Sequence, residues 1–174
     1  MVLMSSCAYK WGPGDRVIPG GYKYVFIPMF KNFSMEPGIE VYYTSALRRE
    51  FERSQVAKVS DPGASEVELD GEIVSITYAP GSTLTGQPYP TGTVLAASYE
   101  IRVTMRLVLK RRSDGKDLWH SDFNGTRSYN APQVSMATIN SVDPLYNLSA
   151  RRQNLQILAQ TMMAEAHDRI SETF

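Results

Sequence analysis

The segment YKYVFIPMFKNFSMEPGIEVYYTSALRREF, Tyr22 to Phe51, decides the fold, because it reads as one strand, one turn and one amphipathic helix. Lys23 to Phe30 holds Tyr24, Val25, Phe26, Ile27, Met29 and Phe30, and a run of aromatic and β-branched residues of this length predicts a buried strand. Pro28 has no amide hydrogen to give a ladder, which suits a sheet edge or a strand end. Lys31 to Ser34 turns the chain. Glu36-Pro37 then opens a helix, with proline at a first-turn position where its missing donor costs nothing. Ile39, Tyr43, Ala46, Leu47 and Phe51 recur on one helical face. Glu36 and Glu40 stand at the positive end of the helix dipole and Arg48, Arg49 and Arg53 at the negative end.

Downstream, Val56 to Ser60 reads as a short strand closed by the turn residues Asp61-Pro62-Gly63. Glu66 to Ile73 alternates, with Val67, Leu69, Gly71 and Ile73 on one face and Glu66, Glu68, Asp70 and Glu72 on the other. Beyond it the apolar phase shifts to Val74, Ile76 and Tyr78. This predicts either a bulge near Gly71 or a further segment buried on both faces. Ala79 to Ala97, rich in proline, glycine and hydroxyls, reads as a long loop. Ser98 to Lys110 is the clearest strand, with Tyr99, Ile101, Val103, Met105, Leu107 and Leu109 alternating with mostly polar residues. Ser113-Asp114-Gly115 supplies a hairpin turn, and Lys116 to Tyr129 returns as its partner. Ala131 to Tyr146 has no clear period. A second helix starts at Asp143-Pro144 or at Asn147 to Ser149, with Leu148, Leu155, Leu158, Ala159, Met162, Ala166 and Ile170 as its apolar stripe.

The expected architecture is therefore α+β: a four-stranded mixed or antiparallel sheet with both helices packed on one face, as a two-layer sandwich. The other sheet face is left to solvent or a partner.

Upstream, the single cysteine is Cys7, and Val2-Leu3-Met4-Ser5-Ser6-Cys7 resembles the tail of a bacterial lipoprotein signal, in which the cysteine is acylated. The chain divides into a residual signal tail at 1–6, an arm at 7–22 and a single domain at 23–174. The alternative for Cys7 is an incidental thiol in a frayed terminus. Ala8 after it is not the aspartate of an inner-membrane retention signal, which points the anchored protein to the outer membrane. Trp11 in the glycine- and proline-rich arm packs on the domain or meets a partner.

The 174 residues, 43% hydrophobic, suffice for one domain that buries roughly two-thirds of its unfolded surface. Eighteen basic and eighteen acidic residues cancel, which argues against a nucleic-acid partner. His120 and His167 have no Cys or His at metal-ligand spacing, and the lone thiol has no local base, so neither a metal, a cofactor nor a catalytic centre is expected.

Several stretches, in this order, resemble the LptE family of lipopolysaccharide-assembly lipoproteins. They are Cys7-Ala8-Tyr9, Ile27-Pro28-Met29-Phe30-Lys31-Asn32, Pro37-Gly38-Ile39-Glu40, Ala46-Leu47-Arg48-Arg49-Glu50-Phe51, Leu69-Asp70-Gly71-Glu72-Ile73, the Tyr99 strand and Leu118-Trp119. The resemblance implies a non-enzymatic protein lipid-anchored at Cys7 on the periplasmic side of the outer membrane. It implies a role as a plug that helps assemble the β-barrel LptD and assists lipopolysaccharide delivery to the cell surface. The residues themselves offer one candidate contact for lipopolysaccharide or the barrel wall, the stripe Arg102, Arg106 and Lys110 beside Arg111 and Arg112. Its alternative is a solvated face paired with acids such as Glu68, Asp70 or Glu72. The alternative function is an outer-membrane lipoprotein that activates a periplasmic cell-wall synthase. Linker length opposes it, since about fifteen residues between Cys7 and the first strand span at most roughly 50 Å.

Overall fold

The computed structural model describes residues 16–84, 95–130, 133–136, 139–142 and 144–172. Its elements are β1 (Tyr24–Phe26), β2 (Lys31–Asn32), α1 (Ile39–Ser54), β3 (Lys58–Val59), a 3-10 turn (Pro62–Ala64), β4 (Val67–Pro80), β5 (Thr83–Leu84), β6 (Leu95–Ala96), β7 (Ser98–Arg111), β8 (Asp117–Asn130), β9 (Gln133–Met136), β10 (Ile139–Val142) and α2 (Pro144–Ser171). Cys7 and Trp11 lie outside the described residues, as does the middle of the expected Ala79 to Ala97 loop.

The α+β sandwich is present, but its sheet has six strands rather than four, in the order β3-β1-β4-β7-β8 with β2 also on β4. β1 runs parallel to β3 and β4, β2 runs parallel to β4, and β4, β7 and β8 are antiparallel. The extra strands have a local cause. Pro28 interrupts the expected Lys23 to Phe30 strand, and the chain resumes pairing with β4 only at Lys31. The polar backbone of the break is answered from α1: Thr44 Oγ1 accepts from the Phe30 amide at 3.0 Å, and the Arg48 guanidinium donates to the Ile27 carbonyl.

α1 begins two residues later than Glu36-Pro37 predicts. Gly38 enters it with φ 85°, a conformation that glycine adopts without a Cβ clash. Asn32 organises the turn before it, donating to the Glu36 carbonyl and to Glu40 Oε2, both at 2.8 Å, and accepting from the Ser34 amide at 2.9 Å. The apolar faces expected for both helices are buried against the sheet, except that Leu148 stays half-buried. Under α1 and α2 lie Leu69, Ile73, Ile101, Val103, Met105, Leu107 and Leu109, each 1% exposed or less. Fully burying one such side chain contributes about 1.5–3 kcal/mol, so this interface holds most of the stability.

Within the long strands, Gly71 and Gly125 allow close approach of the core. A Cβ at Gly71 would meet the Phe30 ring at 2.5 Å, and one at Gly125 would strike Met162 and Leu158 of α2. The predicted phase shift in β4 is a register shift between Ile73 and Ser75, which turns Val74 outward and returns Ile76 and Tyr78 to the helix side. The bulge thus falls at Val74 rather than Gly71, and no segment there is buried on both faces. The expected Ala79 to Ala97 loop is shorter, because β4 runs on to Pro80 and β5 pairs with β6. Residues expected to be irregular between 131 and 146 include the antiparallel pair β9 and β10. At the other end of the domain Ile18 is buried and Arg16 pairs with Asp168 of α2 at 3.0 Å.

Candidate functional site

Alternation along β7 puts Arg102, Arg106 and Lys110 on the sheet face opposite the helices, in one line. Register then decides what each meets. Lys110 stands across from Glu68, and its Nζ donates to Asp70 Oδ2 at 2.9 Å. Arg106 stands between Glu72 and Asp122 and forks onto Asp122, Nε to Oδ1 at 2.7 Å and a terminal nitrogen to Oδ2 at 3.3 Å. Arg102 stands between Thr77 and Thr126, and its ion pair is with Glu100 of its own strand, at 3.0 Å. The structure therefore brings the three predicted cations together and gives each a carboxylate. Arg111 and Arg112 leave the line: Arg111 donates to the Tyr22 hydroxyl and pairs with Asp114, while Arg112 pairs with Glu68 at 3.4 Å.

Electrostatics on this face follow the pairs. The hydrogen bond from Arg106 holds the Asp122 carboxyl below its ordinary range, and the same bond raises the guanidinium. Lys110 is raised by its bond to Asp70. Glu68 is pushed up by partial burial and then by Asp70, which together outweigh Arg112 and Lys110. Glu72 completes the edge through Lys31 at 3.3 Å, and Thr104 donates to Asn124 at 2.9 Å. Chemically this is a surface of fixed, mutually screened charges. Arg102, at 63% exposure and with threonines rather than acids directly across from it on both neighbouring strands, is the cation of this stripe best placed to meet an external anion.

A second site was not anticipated from the sequence. Tyr78, Tyr99 and Tyr129, from the ends of β4, β7 and β8, wall a cavity of about 480 Å³ with Asn147, Leu148 and Arg151 of α2. Tyr99 and Tyr129 stack with centroids 5.8 Å apart, and the Arg151 guanidinium lies 5.2 Å from the Tyr78 ring centroid. The Tyr78 hydroxyl donates to Glu36 at 2.7 Å, and Arg151 reaches the same carboxylate at 3.5 Å. Burial, then the bond to Glu36, pushes the Tyr78 hydroxyl well above its ordinary value. One signal was available. Counting back from the Ser113-Asp114-Gly115 turn sets Tyr99 opposite Tyr129, as the structure has it.

His167 lies between the helices, 3% exposed and edge-on to Phe51, with Nε2 2.7 Å from Ser54 Oγ. Asp168 is 3.6 Å from its Nδ1, beyond a good hydrogen bond, and Ser54 also donates to the Phe51 carbonyl. The trio resembles a Ser-His-Asp set only in composition and works as a clasp between α1 and α2. Among the described residues no group of three His, Cys, Asp or Glu could hold a metal ion.

The family model described as LptE: Lipopolysaccharide-assembly matches residues 22–173. No curated protein sequence matches the chain. Among solved structures the fold is similar to a putative neuraminyllactose-binding hemagglutinin homolog from Helicobacter pylori, with a TM-score of 0.54, 10% identity and 92% of this chain and 91% of that one covered. It is also similar to the PelC dodecamer from Paraburkholderia phytofirmans, with a TM-score of 0.51, 14% identity and coverage of 86% and 89%. At such identities the likeness is one of fold.

Proposed function

Because this chain belongs to the LptE family of lipopolysaccharide-assembly proteins, we propose that it is an outer-membrane lipoprotein, anchored on the periplasmic side through Cys7. In this reading it plugs and helps assemble an LptD-type β-barrel and assists delivery of lipopolysaccharide to the cell surface. The observation that carries the reading is the extent of the family match, residues 22–173, which takes in every described strand and both helices. The role is one of binding and assembly, not catalysis.

The geometry is compatible with a plug. The helices use their apolar faces to cover one side of the sheet, while the other side presents ion pairs and hydroxyls. A barrel lumen is polar, and a polar face can answer with hydrogen bonds the lumen groups from which it displaces water, where an apolar face would leave them unpaired. Arg102, Arg106 and Lys110 are the proposed contacts for phosphate groups of lipopolysaccharide or for acids of the barrel wall.

The test is affinity purification of the full-length, signal-bearing protein from detergent-solubilised outer membrane, with mass spectrometry of what accompanies it. A large β-barrel in equal amount is expected. A cell-wall synthase in its place, or no partner, overturns the plug. Cys7→Ser should release the protein into the soluble periplasmic fraction with its fold intact, and unchanged membrane retention overturns the anchor.

A further inference from the structure

The groove along the first turns of α2 takes no part in the outer-face reading. The tyrosine cavity of about 480 Å³ has a neighbour of about 340 Å³, walled by Met35, Pro37, Ile39 and Tyr42, and Arg151 and Leu148 line both. The two cavities therefore adjoin at Leu148 and Arg151. The geometry points to a binding site for an extended polypeptide segment of a partner protein, which seats an apolar side chain in each cavity and sets a carboxylate between them against Arg151 and Arg152.

Charge favours an acidic ligand. Arg151 and Arg152 both border the groove, Glu36 is the carboxylate that lines it, and Glu36 is already shared between Arg151 and the Tyr78 hydroxyl. Arg152 is exposed and makes no ion pair among the described residues. Hydrogen bonding favours a peptide. Asn147 Oδ1 and Arg151 Nε are buried and, among the described residues, without a hydrogen-bond partner, one an acceptor and the other a donor. One peptide unit offers the matching N–H and C=O, and leaving such atoms unanswered costs stability. Beside Tyr78, β4 from Ser75 to Pro80 pairs with β7 on one side and, among the described residues, with no strand on the other, the edge at which an extended segment would add. Apolar anchors have somewhere to go: Met35 is 94% exposed and Tyr42 36%, large surface for apolar groups unless something covers them. This inference stands on the groove alone and goes beyond the family role.

The experiment is fluorescence polarisation of the full chain with a pool of fluorescein-labelled peptides in which aspartate stands between two phenylalanines at varied spacing. Saturable binding is expected, weakened about tenfold or more when the pool carries asparagine for aspartate or when the protein carries Arg152→Gln. Arg152 is exposed and makes no ion pair among the described residues, so this variant keeps the fold, and its melting curve verifies that. Arg151→Gln should weaken binding further, and Arg106→Gln on the outer face should leave it unchanged. No saturation up to about 1 mM peptide overturns the proposal, as does equal binding of a lysine-for-aspartate pool. Purified lipopolysaccharide binding in an Arg152-dependent manner, with no peptide binding, also overturns it and makes the groove a glycolipid site. None of these outcomes bears on whether a barrel co-purifies with the protein, so this site and the plug role fail separately.

Discussion

β4, β7 and β8 have two faces built from alternate residues of the same segments, and the two faces divide the work. On the helix side Leu69, Ile73, Val103, Met105, Leu107 and Leu109 are shut off from solvent. One residue along, Arg102 and Arg106 are more than half exposed, each held by a carboxylate at the surface. Burial of apolar area is large and cannot be screened, whereas an exposed pair trades water for a partner at little gain. Stability therefore belongs to the inner face. The outer face is left open to be shaped by whatever it touches.

The sharpest way to break this comparison is to exchange the neighbours' fates. Leu107→Asp puts an unpaired carboxylate into the core and should cost about 4 kcal/mol or more, enough to empty the folded state of a marginally stable domain. Denaturant unfolding measures it, and a midpoint near wild type would mean the faces are misassigned. A smaller loss is expected from Gly71→Ala, whose new methyl meets the rigid Phe30 ring. Overpacking of this kind costs about 1–3 kcal/mol. Gly125→Ala should cost less than Gly71→Ala, because Met162 has rotatable bonds with which to yield. The reverse order would place the strain elsewhere.

How far the faces were legible in the chain itself depends on the range of the signal. Alternation in Ser98 to Lys110 and the helical stripes from Ile39 and Leu155 are local, so the inner face could be read residue by residue. Pro28 was legible as a weak point in its strand. What was not legible was that Thr44 and Arg48, a helix away, would satisfy the broken backbone and let the chain resume as β2. The bulge announced itself as a phase shift, but its position depends on how β4 pairs with β7. The cation stripe was visible as a pattern, while its carboxylate partners needed the register. The tyrosine groove gathers residues from three strands and α2, and period alone does not bring distant segments together.

The inner layer also contains a group that should make it sensitive to acid. Burial holds His167 below its ordinary pKa, against the upward pull of Asp168 and Glu50 and with a minor downward push from Arg16. The folded state thus prefers the neutral ring. Above about pH 6.5 the ring is neutral in folded and unfolded chains alike, and its packing between the helices is fully available. As pH falls through that value the unfolded chain takes up a proton that the folded one resists, and stability declines toward the lower folded pKa. The melting midpoint should drop by a few degrees on this account between about pH 7.5 and 5.5. His167→Gln should flatten that slope, whatever its own effect at neutral pH. Equal slopes in the two proteins would mean that the ring is not shielded.

On the outer face the expected effect on stability is smallest and the effect on binding should depend on pairing. Replacing Arg102 and Arg106 together by Glu should leave the melting midpoint within a few degrees while weakening capture of the barrel or of lipopolysaccharide. The single variants carry more information than the double one. Arg106 is forked onto Asp122 and faces Glu72 as well, so an incoming anion must compete with two carboxylates already in place. Arg102 has threonines on both sides and a single carboxylate along its own strand. If the face recognises anions through its less committed cation, Arg102→Gln should weaken binding several-fold and Arg106→Gln by less. Equal losses would mean that the stripe acts by summed charge. A larger loss at Arg106 would mean that the fork with Asp122 is itself the recognised feature, and that the pair is kept for its shape rather than for an arginine free to reach outward.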